Sequence, residues 1–116
     1  VTTRVAVLAQ DLIWQDRLAR AVEAAGATPS RAKTGPELDR ALECAEHAIV
    51  DLTARNYDPM AAIRRASDRG ARVLAVGPHD DVAVRKQALA AGAERVLAYR
   101  KLFEDGPATV GSWLAS

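Results

Sequence analysis

The chain has 116 residues, 49% of them apolar and 27% charged, which is the size and balance of one globular domain and excludes a disordered segment. Its 16 basic and 15 acidic side chains leave a net charge of +1, so the broad basic field that holds nucleic acid is absent. Cys44 is the only cysteine, which excludes an internal disulfide and a multi-cysteine zinc centre and makes a reducing cytoplasm the expected setting. Val1-Thr2-Thr3-Arg4 lacks the regions of a signal peptide, and no apolar run is long enough to cross a bilayer, so no membrane partner is expected.

Five short β-prone runs alternate with stretches of helical spacing, the pattern of a parallel sheet covered by helices. Val5 to Ala9 is apolar throughout and reads as a central strand. Trp14, Leu18, Ala21, Val22 and Ala25 then share one helical stripe that Gly26 ends. The run Thr28 to Lys33 contains Pro29, Ser30, Arg31 and Lys33, a composition suited to an edge strand. Thr34-Gly35-Pro36-Glu37 reads as a capping box, and Leu38, Ala41, Leu42 and Ala45 continue the helix. Cys44, beside that stripe, reads as a small packing residue rather than a reactive thiol.

His47 to Asp51 is the third predicted strand and ends in a carboxylate. After the loop from Leu52 to Tyr57, Asp58-Pro59 opens a helix that Gly70 closes. Arg72 to Val76 is the fourth strand, broken by Gly77-Pro78, and Asp80 or Asp81 caps a helix whose apolar stripe is expected to hold Val82 and Leu89 before Gly92. Arg95 to Tyr99 is the fifth strand, and a last helix from about Pro107 presents Val110, Trp113 and Leu114. Right-handed crossovers between these units predict a three-layer α/β sandwich over residues 1–116, with a five-stranded parallel sheet in the flavodoxin-like order 2-1-3-4-5.

In such a sheet, ligands bind beyond the carboxyl ends of the strands where the order reverses. The residues there are Ala9, Gln10 and Asp11, then Asp51 to Thr53, Gly77 to Asp80, and Tyr99 to Lys101. Asp51 stands at the reversal itself, although a strand-end aspartate also serves as a loop cap that accepts backbone hydrogen bonds, and position alone weighs the two readings equally. No Gly-x-Gly-x-x-Gly and no Walker loop is present. His79 beside Asp80 and Asp81 reads as a surface residue, since His47 lies at the far end of its strand and cannot join it in a metal site. Arg64, Arg65, Arg69, Arg85 and Lys86 read as solvated helix faces, and Trp14 and Trp113 as packing anchors.

Taken together, Val5-Ala6-Val7-Leu8, Ala48-Ile49-Val50-Asp51, Val73-Leu74-Ala75-Val76 with Gly77-Pro78-His79-Asp80-Asp81, and Ala90-Ala91-Gly92-Ala93 make the chain resemble the CheY-like receiver domains of bacterial response regulators over nearly its whole length. In that family a strand-three aspartate accepts a phosphoryl group, and acidic residues after strand one help hold Mg²⁺. A Ser or Thr after strand four senses the phosphate, and a Lys after strand five pairs with it. The resemblance implies that Asp51 is the acceptor. The acidic pair falls on Ala9 and Gln10, with Asp11 one position late; Gly77 stands where the hydroxyl belongs and Tyr99 where the lysine belongs, followed by Arg100 and Lys101.

What the resemblance implies is a stand-alone, atypical receiver in two-component signalling, not an enzyme, that works by binding a protein partner, a histidine kinase or a downstream effector. The binding face would be built from the fourth helix, fifth strand and last helix, a face that also accommodates a homodimer. Phosphorylation is expected to be weak or absent, with Mg²⁺ held weakly by Asp11 and Asp51, because the cation needs a near-octahedral set of oxygens and phosphoryl transfer leans on charge stabilisation. One alternative is a conventional phosphorylated regulator in which Arg100 or Lys101 turns inward. Another is a small-molecule or anion-binding domain that uses backbone N–H groups around Gly77 and the neighbours of Pro78, with Arg100 nearby. The lining residues in every case are Gln10, Thr53, Gly77, Pro78, Tyr99, Arg100 and Lys101.

Overall fold

Side chains alternate across a strand, so each strand buried on both faces must be apolar at successive positions. Three segments meet that demand: β1 (Arg4–Leu8), β3 (His47–Asp51) and β4 (Arg72–Gly77). In the computed structural model, which describes residues 3–78 and 80–116, they form the middle of one parallel sheet. His79 lies outside the described residues. The polar β2 (Thr28–Ala32) and the short β5 (Arg95–Ala98) take the edges, giving the order β2-β1-β3-β4-β5.

The alternation sorts the core into two layers. Ala6 and Leu8, Ala48 and Val50, and Val73 and Ala75 face α2 (Gly35–Leu42), α3 (Pro59–Asp68) and α4 (Val82–Ala91). Val5 and Val7, Ile49, and Leu74 and Val76 face α1 (Leu12–Ala24) and α5 (Tyr99–Ala115). Each fully buried Val or Leu here contributes about 1.5–3 kcal/mol relative to exposure. Register pairs Leu8 with Val50 and Asp51 with Val76, which brings the carboxyl ends of the three central strands level.

The helix starts follow side-chain chemistry. Asp11, Thr34, Asp58 and Asp81 each accept hydrogen bonds from the first-turn N–H groups of α1 to α4. At the far end of α4, Gly92 has φ +124° and a side chain there would run into Ser67 Oγ at 2.6 Å, so both backbone and space require glycine.

Four sequence expectations change. The strand predicted over Arg95 to Tyr99 stops at Ala98, and Tyr99 opens α5, which begins well before Pro107. Pro107 instead marks a kink inside α5, where Asp105 has φ −151° and ψ 43°. The ring of Pro107 would clash with the carbonyl one turn earlier in an unbroken helix. On α4, Val82 and Leu89 are 59% and 47% exposed rather than buried, because Ala88 and Ala91 make the contact with the sheet. Cys44 is exposed and does not pack in the core.

Candidate functional site

Asp51 ends β3 between β1 and β4, and at 1% exposure it is one of two buried polar residues among the described residues. A buried carboxylate needs hydrogen-bond donors. Its Oδ1 receives three: the Thr53 backbone N–H at 3.0 Å, the Thr53 hydroxyl at 2.9 Å and the Tyr99 phenol. The Thr53 and Tyr99 hydroxyl oxygens are themselves 2.6 Å apart, so three oxygens close a triangle. Both readings of Asp51 therefore meet in one residue, since it caps its own loop and stands at the reversal point.

Tyr99 reaches this position because α5 starts directly at the end of β5, with no loop to carry the side chain away. Its ring lies on Trp14 with centroids 4.3 Å apart, which fixes the phenol over the strand ends. Burial, and next the hydrogen bond to Asp51, push the Tyr99 phenol well above its ordinary value, so it stays protonated and can donate. Tyr57 completes the floor by donating to the Asp51 carbonyl at 2.7 Å. Its phenol is also held well above the ordinary value, first by burial and then by the Asp51 charge.

The loops above the carboxylate are tied by amide side chains. Gln10 Oε1 accepts from the backbone N–H of Arg55 at 2.7 Å and of Asn56 at 3.3 Å. Buried Gln15 donates to the carbonyls of Ala9 and Ala32 at 3.2 and 2.9 Å. An open cleft of about 360 Å³ remains, lined by Gln10, Asp11, Asp51, Thr53, Ala54 and Arg55.

Gly77 ends β4, the strand next to Asp51, and Pro78 follows it. Gly77 is buried, and a Cβ there would stand 3.1 Å from Leu52 Cδ1 and 3.3 Å from Leu52 Cβ. A residue with a Cβ at this position would therefore press on Leu52, which would have to give by a few tenths of an ångström. Pro78 is exposed and has no N–H to offer an anion.

Of the residues expected to line the site, Gln10, Asp11, Asp51 and Thr53 come together at the cleft, with Tyr99 and Gly77 beside them. Arg100 and Lys101 do not join them. Arg100 pairs with Glu104 at 2.9 Å on the exposed side of α5, and Lys101 is exposed. The helix that starts at Tyr99 turns both away, so neither supplies an inward cation. Among the described residues no Arg or Lys forms an ion pair with Asp51. Gln15, Leu52, Arg55 and Tyr57 were not singled out by sequence. Only Tyr57 and Arg55 carried a signal, as polar residues in the loop after the strand-end aspartate.

Several oxygens around the cleft already accept hydrogen bonds, which leaves the second carboxylate oxygens of Asp11 and Asp51 as the groups open to a hard cation such as Mg²⁺. Asp11 commits Oδ1 to the N–H groups of Ile13 and Trp14 at 2.8 and 3.0 Å, Gln10 spends its carbonyl on two backbone donors, and Asp51 Oδ1 is covered by three. No group of three acidic, His or Cys side chains could hold a metal among the described residues.

No family model matches the sequence, and no curated protein matches it significantly. Solved structures do match its fold. A response regulator from Thermotoga maritima is similar over all of both chains, with 19% identity and a TM-score of 0.84. The beryllofluoride-activated receiver domain of DrrB, a protein of Thermotoga maritima, is similar over all of both chains, with 15% identity and a TM-score of 0.85. A response regulator from Burkholderia pseudomallei, solved with a phosphorylated aspartic acid, calcium and citrate, has 22% identity and a TM-score of 0.74 over 97% of this chain and 73% of its own. The chain has the flavodoxin-like fold of CheY-like receiver domains.

Proposed function

We propose that this chain is an atypical receiver domain of two-component signalling that acts by binding a protein partner, with its aspartyl phosphorylation weak or absent. The observation that carries this reading is the capping of Asp51. Where a phosphoryl acceptor needs cationic groups to stabilise the transferred charge, Asp51 has only the neutral donors Thr53 and Tyr99 on Oδ1 and no ion pair among the described residues. Phosphoryl transfer is catalysed by positioning and electrostatic stabilisation, and this site offers little of the second. Gly77 supports the same reading, because it carries no hydroxyl to sense a phosphate and Leu52 packs closely over it.

The partner face is the one formed by α4, β5 and α5. Val82 and Leu89 lie on the surface of α4, and Val96 and Leu97 are half-exposed on the edge strand. Val82 and Leu89, two turns apart on α4, share one face of that helix, and exposed apolar groups so placed suit an interaction surface. A histidine kinase, a downstream effector or a second copy of the chain would bury them.

Intact-mass measurement after incubation with Mg²⁺ and a small phosphodonor tests the proposal. The expected result is an unchanged mass, or slow and substoichiometric addition. Rapid addition of one phosphoryl group that disappears in Asp51→Asn would overturn it.

A further inference from the structure

The end of the sheet opposite Asp51 carries a second polar cluster that the proposed function does not use. His47 opens β3 and Arg72 opens β4, side by side in register. The imidazole meets Trp113 of α5 edge-on, with centroids 5.3 Å apart, and the Arg72 guanidinium lies 5.7 Å from the same indole ring. Arg72 also fastens the last turn of α5. It donates to the Trp113 carbonyl at 3.1 Å and to Ser116 Oγ at 2.8 Å, while Glu94 holds it in place with two bonds of 2.9 and 2.5 Å.

We propose that this end of the molecule is an acid-sensitive latch, in which protonation of His47 loosens the last turn of α5 from Arg72. An imidazolium carries N–H on both nitrogens. His47 Nδ1 is buried and has no hydrogen-bond partner, so the charged ring would hold an unsatisfied donor beside a guanidinium. The charged groups around it are Arg72 on β4, Glu46 on the preceding loop and Glu94 on the loop before β5; β1 presents Val5 and α5 presents Trp113, neither charged. The adjoining cleft of about 570 Å³, lined by Glu43, Glu46, Arg69 and Arg72 among others, is open to the water that would receive a released ring. Burial, and then Arg72, hold the His47 imidazole below its ordinary value of 6.5, while the two glutamates oppose the shift. The loosened form therefore binds the proton more readily than the closed form, and its population grows as pH falls below 6.5.

The test follows the His47 imidazole resonances and the hydrogen exchange of amides 111–116 by NMR from about pH 8 to about pH 5. Exchange rates are corrected for their intrinsic pH dependence. The expected result is a loss of protection in the last turn of α5 that tracks the imidazole titration and disappears in His47→Phe. Should that variant fail to fold, His47→Gln, which keeps a polar side chain without the titration, is expected to remove the pH response equally. An imidazole that titrates while the last turn keeps its protection would overturn the proposal, as would a pH response that persists in either variant.

Discussion

Tyr99 stands where the resemblance puts a lysine, and the exchange alters what the site can do. A lysine brings a positive charge that can follow a phosphoryl group. The phenol brings one neutral donor and a ring, and here the ring is fixed by Trp14 while the hydroxyl donates to Asp51 and lies 2.6 Å from the Thr53 hydroxyl. Removing the hydroxyl in Tyr99→Phe leaves a buried carboxylate with one donor fewer. The variant is expected to lose about 1–3 kcal/mol in urea denaturation, the usual cost of an unmet hydrogen bond to a charged group.

The same phenol sets an alkaline dependence. Its folded pKa lies above the ordinary value of 10.0, so above that pH the unfolded state holds fewer protons than the native state and stability falls as pH rises. Native Tyr57 contributes in the same direction. The wild-type protein is therefore expected to lose stability more steeply than Tyr99→Phe when denaturation midpoints are compared above pH 10. Asp51 as the residue at the reversal point is legible in the sequence, because it follows the apolar run Ala48-Ile49-Val50. The partners were not. Tyr99 was read as the last residue of a strand since Leu97-Ala98-Tyr99 is continuously apolar and α5 has no capping side chain to announce it. Gln15 was invisible for another reason: the carbonyls it joins, Ala9 and Ala32, meet only through sheet topology.

At the scale of elements, the junctions after β3 and β4 are matched to each other. Leu52 follows β3 and packs on Gly77 at the end of β4, and the Leu52 N–H donates to the Val76 carbonyl at 2.9 Å. Gly77→Thr would force Leu52 to move, and overpacking of this kind costs about 1–3 kcal/mol. A double-mutant cycle checks the cause. The penalty of Gly77→Thr is expected to shrink in a Leu52→Ala background, with a coupling that lies outside simple additivity. An equal penalty in both backgrounds would assign the glycine to another role.

The helices were legible to different degrees for reasons that their contacts explain. α1 follows its apolar stripe and α2 its stripe and capping box, all local signals, while Asp11 as the cap of α1 comes from the structure. In α4 the larger residues Val82 and Leu89 lie outside and alanines lie inside, so reading the helix by its bulkiest side chains puts the wrong face on the core. The kink of α5 was half legible. Pro107 gave a correct stop signal for one helical segment and start signal for the next, but the six residues before Asp105 carry no such mark.

Across the whole molecule, α5 spans the two polar clusters. Its first residue bonds to Asp51 at one end of the sheet, and Trp113 packs against His47 and Arg72 at the other. Trp113 is fully buried, and Trp113→Ala is expected to cost about 3–5 kcal/mol in chemical denaturation. The strand order itself was legible because two features agreed: apolar runs long enough only for central strands, and a polar second strand that had to take an edge. Neither feature reports what chemistry the strand ends carry, since fold and activity are separable.

Whether the hydrogen bonds on Asp51 keep it from a metal and a phosphoryl mimic can be observed directly by recording amide spectra of the protein during addition of Mg²⁺ and then of beryllofluoride. With Thr53 and Tyr99 bonded to the carboxylate, the resonances of residues 51–55 and 99 are expected to stay in place. Saturable shifts at those positions that are lost in Asp51→Asn would mean that the pocket opens to take a metal and a phosphoryl mimic, and the protein would then have to be regarded as a working switch.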